Sequence, residues 1–274
     1  MVKRIIGSAL RALLMACLVA IPSLVLPGTS SDAAQMAALV ALVAAVVTFA
    51  EYYSEYPTFL EFRQAPPFNR LRFLALFLCV LFASVLMALG PTGDTIAHIL
   101  AARASVALDV PFSPVRLMSI TFADAPAVFD VQAMTAIASL MFAIAICVLG
   151  MFYLHARFIF WPIRKKAFNF WINLPLFDPT SGKDVLFRLK RDAHINLALG
   201  FLLPFLLPAL LRMWMGAFDP TKLAMPEVMI WVLSAWAFLP LTLMMRGIAL
   251  FRVAALVEEK RRRAYAQEDE LQLA

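Results

Sequence analysis

VQAMTAIASLMFAIAICVLGMFYL, residues 131–154, runs without a single Asp, Glu, Lys, Arg or His. At 1.5 Å rise per residue, a helix of this length exceeds the ~30 Å hydrocarbon layer of a bilayer. Lipid offers no partners for backbone N–H and C=O groups, so a stretch of this kind crosses as a helix that bonds to itself. Working outward, five more segments read the same way: Ile5–Leu26, Ala33–Ala50, Phe73–Gly90, Leu197–Phe218 and Val228–Met245. The expectation is an all-α, polytopic integral membrane bundle of six transmembrane helices. Hydrophobic residues make up 63% and charged residues 15%, against about 45–50% and 25% in soluble domains. The whole chain, 1–274, therefore reads as one membrane domain. It has an outer loop at 91–130, a basic inner loop at 155–196 and a C-terminal helix at 246–274.

Charge sets the expected direction. The N-terminus, the loop 51–72, the loop 155–196 and the C-terminus hold all but four of the 24 Lys and Arg residues. The exceptions are Arg103, Arg116, Arg212 and Lys222. Lys and Arg are retained on the cytoplasmic face, which predicts both termini inside, in the plasma (inner) membrane of a prokaryote. Lys3 and Arg4 followed by an apolar run also suit a cleavable leader. That run extends to Pro27 and is interrupted by Arg11, which favours a retained span. Cys17, Cys79 and Cys147 all fall within spans and without a CxxC pair, so a disulfide framework is not expected.

Between spans, Pro27-Gly28-Thr29-Ser30-Ser31-Asp32 predicts a tight hairpin of the first two helices. The second span is almost entirely Ala and Val, small enough for close helix approach, which predicts a buried position. In the outer loop, Asp94 is the expected cap of one helix with Ile96, Ile99, Leu100, Ala104 and Ala107 on its apolar face. The rest of that loop, broken by Pro111, Pro114 and Pro126, is expected to be irregular.

The inner loops are rich in rings and charge. Tyr52, Tyr53 and Tyr56 stand beside Glu51, Glu55 and Glu61, followed by Arg70 and Arg72; this reads as an interfacial continuation of the second span. In the loop 155–196, Trp161 and Trp171 flank Arg164, Lys165 and Lys166. That pattern predicts contact with anionic lipid headgroups, rings inserted and cations against phosphate. No nucleic-acid partner is expected.

Chemistry-bearing residues are sparse. An ionisable group at mid-membrane is the usual mark of a proton or substrate path, and no span has an Asp, Glu, Lys or His near its centre. Arg11, Arg212 and Arg246 lie near span ends, where they can snorkel to the headgroups. Pro204 and Pro208 share one face of the fifth span and free the carbonyls of Gly200 and Pro204. The ordinary reading is a kink repaired by neighbouring helices; the functional one is a hinge or coordinating site. Glu51, Glu55, His155 and His194 fall at the inner ends of their spans. Together they would suit a metal site, and the two histidines alone a haem, although each also has an ordinary role. No cofactor is predicted. No phosphate loop, HExxH or Gly-x-Ser-x-Gly occurs.

Three readings follow. The favoured one is a non-catalytic membrane protein: an accessory subunit, assembly factor or scaffold with other membrane subunits as partners. The second is a small transporter or channel built on the kinked fifth span. The third is an enzyme or metal/haem carrier at the inner face.

Overall fold

A computed structural model of the chain describes residues 2–90, 93–124, 129–159, 161–162, 168–178, 180, 184–217 and 225–273, with side chains up to residue 267. The described residues form helices and no strands. In order they are α1 (Val2–Val25), α2 (Ser31–Tyr53), α3 (Phe68–Leu89), α4 (Ile96–Leu108), α5 (Pro114–Ala123), α6 (Val131–Phe158), α7 (Phe170–Asn173), α8 (Val185–Ala217) and α9 (Pro226–Leu273). Six of these, α1, α2, α3, α6, α8 and α9, are long and apolar enough to cross a membrane. They coincide with the six expected spans. Helices α8 and α9 run well beyond their apolar parts, because Lys190 pairs with Glu258 at 2.9 Å and Asp184 with Arg261 at 2.7 Å outside the apolar zone.

The centre of the bundle is α3, α6 and α9, with α8 laid along α9 and α1 against α3. Close approach of α8 and α9 depends on two glycines. A Cβ on Gly200 would stand 2.9 Å from both Met244 N and Pro240 O, and one on Gly247 2.9 Å from Ala193 O. Both contacts are to backbone, which cannot rotate away. One of the two carbonyls freed by the prolines is also accounted for. The indole N–H of Trp236 donates to Pro204 O at 3.0 Å in the buried interior, so the carbonyl freed by Pro208 is satisfied from α9. A Thr121 hydroxyl from α5 reaches Pro208 O at 3.4 Å. The groove beside Pro204, about 210 Å³, is lined by apolar side chains including Phe142, Ile146, Phe201 and Leu241.

Three expectations need correction. Helix α2 is peripheral, not buried: only 6% of its apolar stretch is covered. The hairpin turn, with Gly28 at φ 78°, sets α2 beside α1, and its small side chains offer neighbours little area to bury. The helix expected in the loop 91–130, α4, exists, but Thr95 caps it through His98 N, not Asp94. Its buried face is Ala97, His98, Ala101 and Ala104, while Ile96, Ile99 and Leu100 are exposed. Alanines let α4 lie flush on α6, and the bulky residues turn away. The loop also holds a second helix, α5, capped by Ser113 with Pro114 at its first position, a favourable start that disguised itself as a breaker. His98 bonds Thr95 Oγ1 at 2.7 Å and Gly90 O at 3.0 Å, tying α4 to the end of α3.

Candidate functional site

The polar residues of this molecule gather at one end, beneath the loop that joins α2 to α3. The Glu51 carboxylate turns back on the chain that follows it. It accepts from the amides of Thr58 at 3.0 Å, Phe59 at 3.2 Å and Leu60 at 3.0 Å. Arg63 does the converse job, donating to the carbonyls of Glu51 (2.8 Å), Ser54 (2.7 Å) and Glu55 (2.6 Å). A cation on the last carbonyls of a helix satisfies acceptors with no partner within the helix and sits at the negative end of its dipole. Burial, and then the neighbouring charge of Arg4, lower the pKa of the Arg63 guanidinium from its ordinary value. The loop is thereby folded under α2 instead of trailing from it along the interface.

Across the same end the loop docks on the segment between α6 and α8. Asn173 receives the Phe62 amide at its carbonyl (2.7 Å) and the Gln64 amide at its side-chain oxygen (2.9 Å). Phe62 holds a left-handed φ of 52° while fully buried, a conformation a bulky residue keeps only when its surroundings over-determine it. Its ring packs on Phe68 at 4.6 Å, Trp161 at 5.6 Å and Phe168 at 6.4 Å.

Trp161 itself differs from expectation. It is 3% exposed, with its indole N–H on Ala65 O at 3.2 Å. It belongs to the aromatic core joining the two loops and not to the headgroup layer; the loop 54–67 supplies a closer apolar partner than lipid. Trp171 is exposed. Arg164, Lys165 and Lys166 lie outside the described residues.

Glu61 and Arg246 form the strongest ion pair of the site. Arg246 is bidentate, Nε to Oε2 at 2.6 Å and Nη2 to Oε1 at 2.8 Å, and Glu61 is buried. Arg246 therefore pairs within the protein instead of snorkelling. Arg212 likewise pairs with Asp124 at 2.6 Å. Neither partnership was legible locally, because Glu61 and Arg246 are 185 residues apart.

The four residues expected as metal or haem candidates are placed as follows. Glu51 is spent on amides, and Glu55 is exposed at the rim. His194 is exposed, its Nδ1–H on Lys190 O at 2.7 Å and its ring edge-on to Phe251 at 4.8 Å. His155 is half-buried and engaged with a neighbour. Among the described residues, no three His, Cys, Asp or Glu side chains come together as a metal-binding group.

Two adjoining cavities open at this end. One, about 520 Å³, lies between α1, α2, α3 and α9 under the loop; the other, about 430 Å³, lies between α1 and the loop. Arg11 and Tyr52 line both. Arg11 is held over the Tyr52 ring at 4.7 Å and donates to Gly7 O at 2.5 Å. Arg72 stands over the rings of Phe68 and Phe238, and its Nε is buried with no hydrogen-bond partner among the described residues. Comparison of the chain with protein-family models, curated proteins and solved structures finds no match.

Proposed function

We propose that this is a non-catalytic integral membrane protein acting as an accessory subunit, assembly factor or scaffold of a membrane complex. The observation that carries the reading is α2. It is a full-length apolar helix, anchored to the bundle by α1 and by the Glu51 contacts at one end. Ala34, Ala38, Leu42 and Val46 are exposed along it. Small side chains permit backbone approach between membrane helices, so this face suits a helix of another subunit. The coordinating-site reading of α8 is weakened because Trp236 already occupies Pro204 O.

The membrane is the plasma (inner) membrane of a prokaryote and both termini are cytoplasmic. Support comes from the clustering of Lys3, Arg4, Arg63, Arg70, Arg246 and the α9 extension around the loop end of the bundle. Trp171 with Arg164, Lys165 and Lys166 contacts anionic headgroups on that side. The test of the assembly role is photocrosslinking from Ala38 and Leu42 in native membranes, followed by mild-detergent purification. A specific crosslinked membrane protein that co-purifies supports it. A chain that purifies alone, with no crosslink from either position, sinks it. Impermeant thiol labelling of introduced cysteines at Glu55 and Ala107 tests the orientation: only the latter should react from outside the cell.

A further inference from the structure

The larger cavity has a chemistry that the assembly role does not use. Its inner mouth is cationic and its depth is apolar. Arg11, Arg70 and Arg72 line the mouth, with Leu14, Phe73 and Phe238 among the apolar residues lining the cavity. The other ionisable groups facing it are Glu51 and Tyr52. The Glu51 charge is already bound by three backbone amides. Glu61, whose charge also acts on Arg72, is held bidentate by Arg246 outside the cavity lining. That leaves three guanidinium groups among the lining residues with no free carboxylate there. Arg72 lines the space, and its Nε is buried behind with no acceptor among the described residues; a charged group so poorly satisfied in a low-dielectric site favours an anion beside it. Guanidinium groups match phosphate in planar, paired geometry. Lys3, Arg4 and Arg63 line the adjoining cavity and outnumber its one carboxylate, Glu55, so the field stays positive across Arg11.

We propose that this cavity holds one anionic phospholipid per chain. The phosphate sits among Arg11, Arg70 and Arg72, and an acyl chain runs between α1 and α3 toward Phe238. Its volume of about 520 Å³ takes the phosphate headgroup and part of one acyl chain, and the rest of the lipid lies outside the cavity in the bilayer. The lipid stitches α1 and α2 to the α3–α9 centre at the one end where α2 has an anchor. The proposal needs only that the six helices cross a membrane, and it stands apart from the assembly role.

The test uses the full chain in mild detergent, equilibrated with vesicles of equal phosphatidylglycerol and phosphatidylcholine, repurified and weighed by native mass spectrometry. Wild type should retain one phosphatidylglycerol in clear preference to phosphatidylcholine. Arg11→Gln combined with Arg72→Gln should reduce that retention about thirtyfold, the ratio implied by two lost headgroup charges at ~1 kcal/mol each. Leu14→Trp fills the apolar part while leaving every cation in place, and should also abolish retention. If the double variant does not fold, Arg70→Gln at the exposed rim should still lower the preference with an unchanged melting temperature. Equal retention of the two lipids by wild type overturns the proposal, as does wild-type retention in Leu14→Trp. Displacement by inorganic phosphate alone would show a free-anion site and overturn it as well. No partner protein enters the assay, so its failure is distinct from failure of the assembly role.

Discussion

Helices α2 and α9 are both apolar enough to span a membrane, yet 6% of the apolar stretch of α2 is buried against 56% for α9. Hydropathy makes both long and apolar enough to cross a membrane and says nothing of what each one touches. The difference comes from three kinds of contact that α9 has and α2 lacks. Gly247 lets it meet α8 at backbone distance. Trp236 carries a donor into the interior of α8. Arg246 ties it to the loop beneath α2. Helix α2 has one polar anchor of comparable quality, Glu51, and that anchor holds a loop, not another span.

Mutations can break this contrast. The largest effect should come from Glu61→Gln, which leaves Arg246 uncompensated in a largely buried site. Loss of one partner of a buried pair costs about 3–5 kcal/mol, read as a fall in thermal unfolding midpoint in detergent. Gly200→Ala should come next. Its Cβ meets backbone atoms, so α8 and α9 must separate, at about 1–3 kcal/mol for overpacking. Trp236→Phe keeps the ring but orphans Pro204 O. It should cost about 1–3 kcal/mol, and Pro208→Ala in the same chain should recover part of it by returning an N–H to that carbonyl. By contrast Ala38→Leu on α2 should change the isolated chain by no more than about 0.5 kcal/mol. A large destabilisation there would mean that α2 is more deeply packed than its exposure indicates.

The smallest effect concerns Asp184, fully exposed and paired with Arg261. The hydrogen bond from Arg261, then the Leu186 amide, hold its carboxyl below the ordinary 3.8. A lowered folded pKa stabilises above the unfolded value and is lost as pH falls through the folded one. Wild type and Asp184→Asn should therefore differ slightly at neutral pH and converge in acid below about pH 3.9, the unfolded carboxylate value. Melting curves across that range check it.

The loops 51–72 and 155–196 show why part of the site was legible and part was not. Tyrosine, glutamate and arginine crowded into residues 51–72 marked that loop from composition alone. The expectation stopped at an interfacial ribbon because the Glu51 and Arg63 contacts reverse the chain through backbone partners, and any residue supplies those. Trp161 misled for a related reason: an indole beside basic residues suits a headgroup belt as well as an aromatic core. Only the position of Phe62 and Phe68 decided between them.

By itself the sequence determined six helices long and apolar enough to cross a membrane, and five of their starts within about five residues, while α8 begins twelve residues before the expected Leu197. Those follow from the cost of exposing backbone and charge to hydrocarbon, which acts on each segment separately. The tertiary structure alone decided which helix is central, which arginine meets which glutamate, and where a cavity with a cationic mouth opens. These depend on contacts between residues far apart in the chain, and a local pattern of apolar residues carries no record of its distant partners.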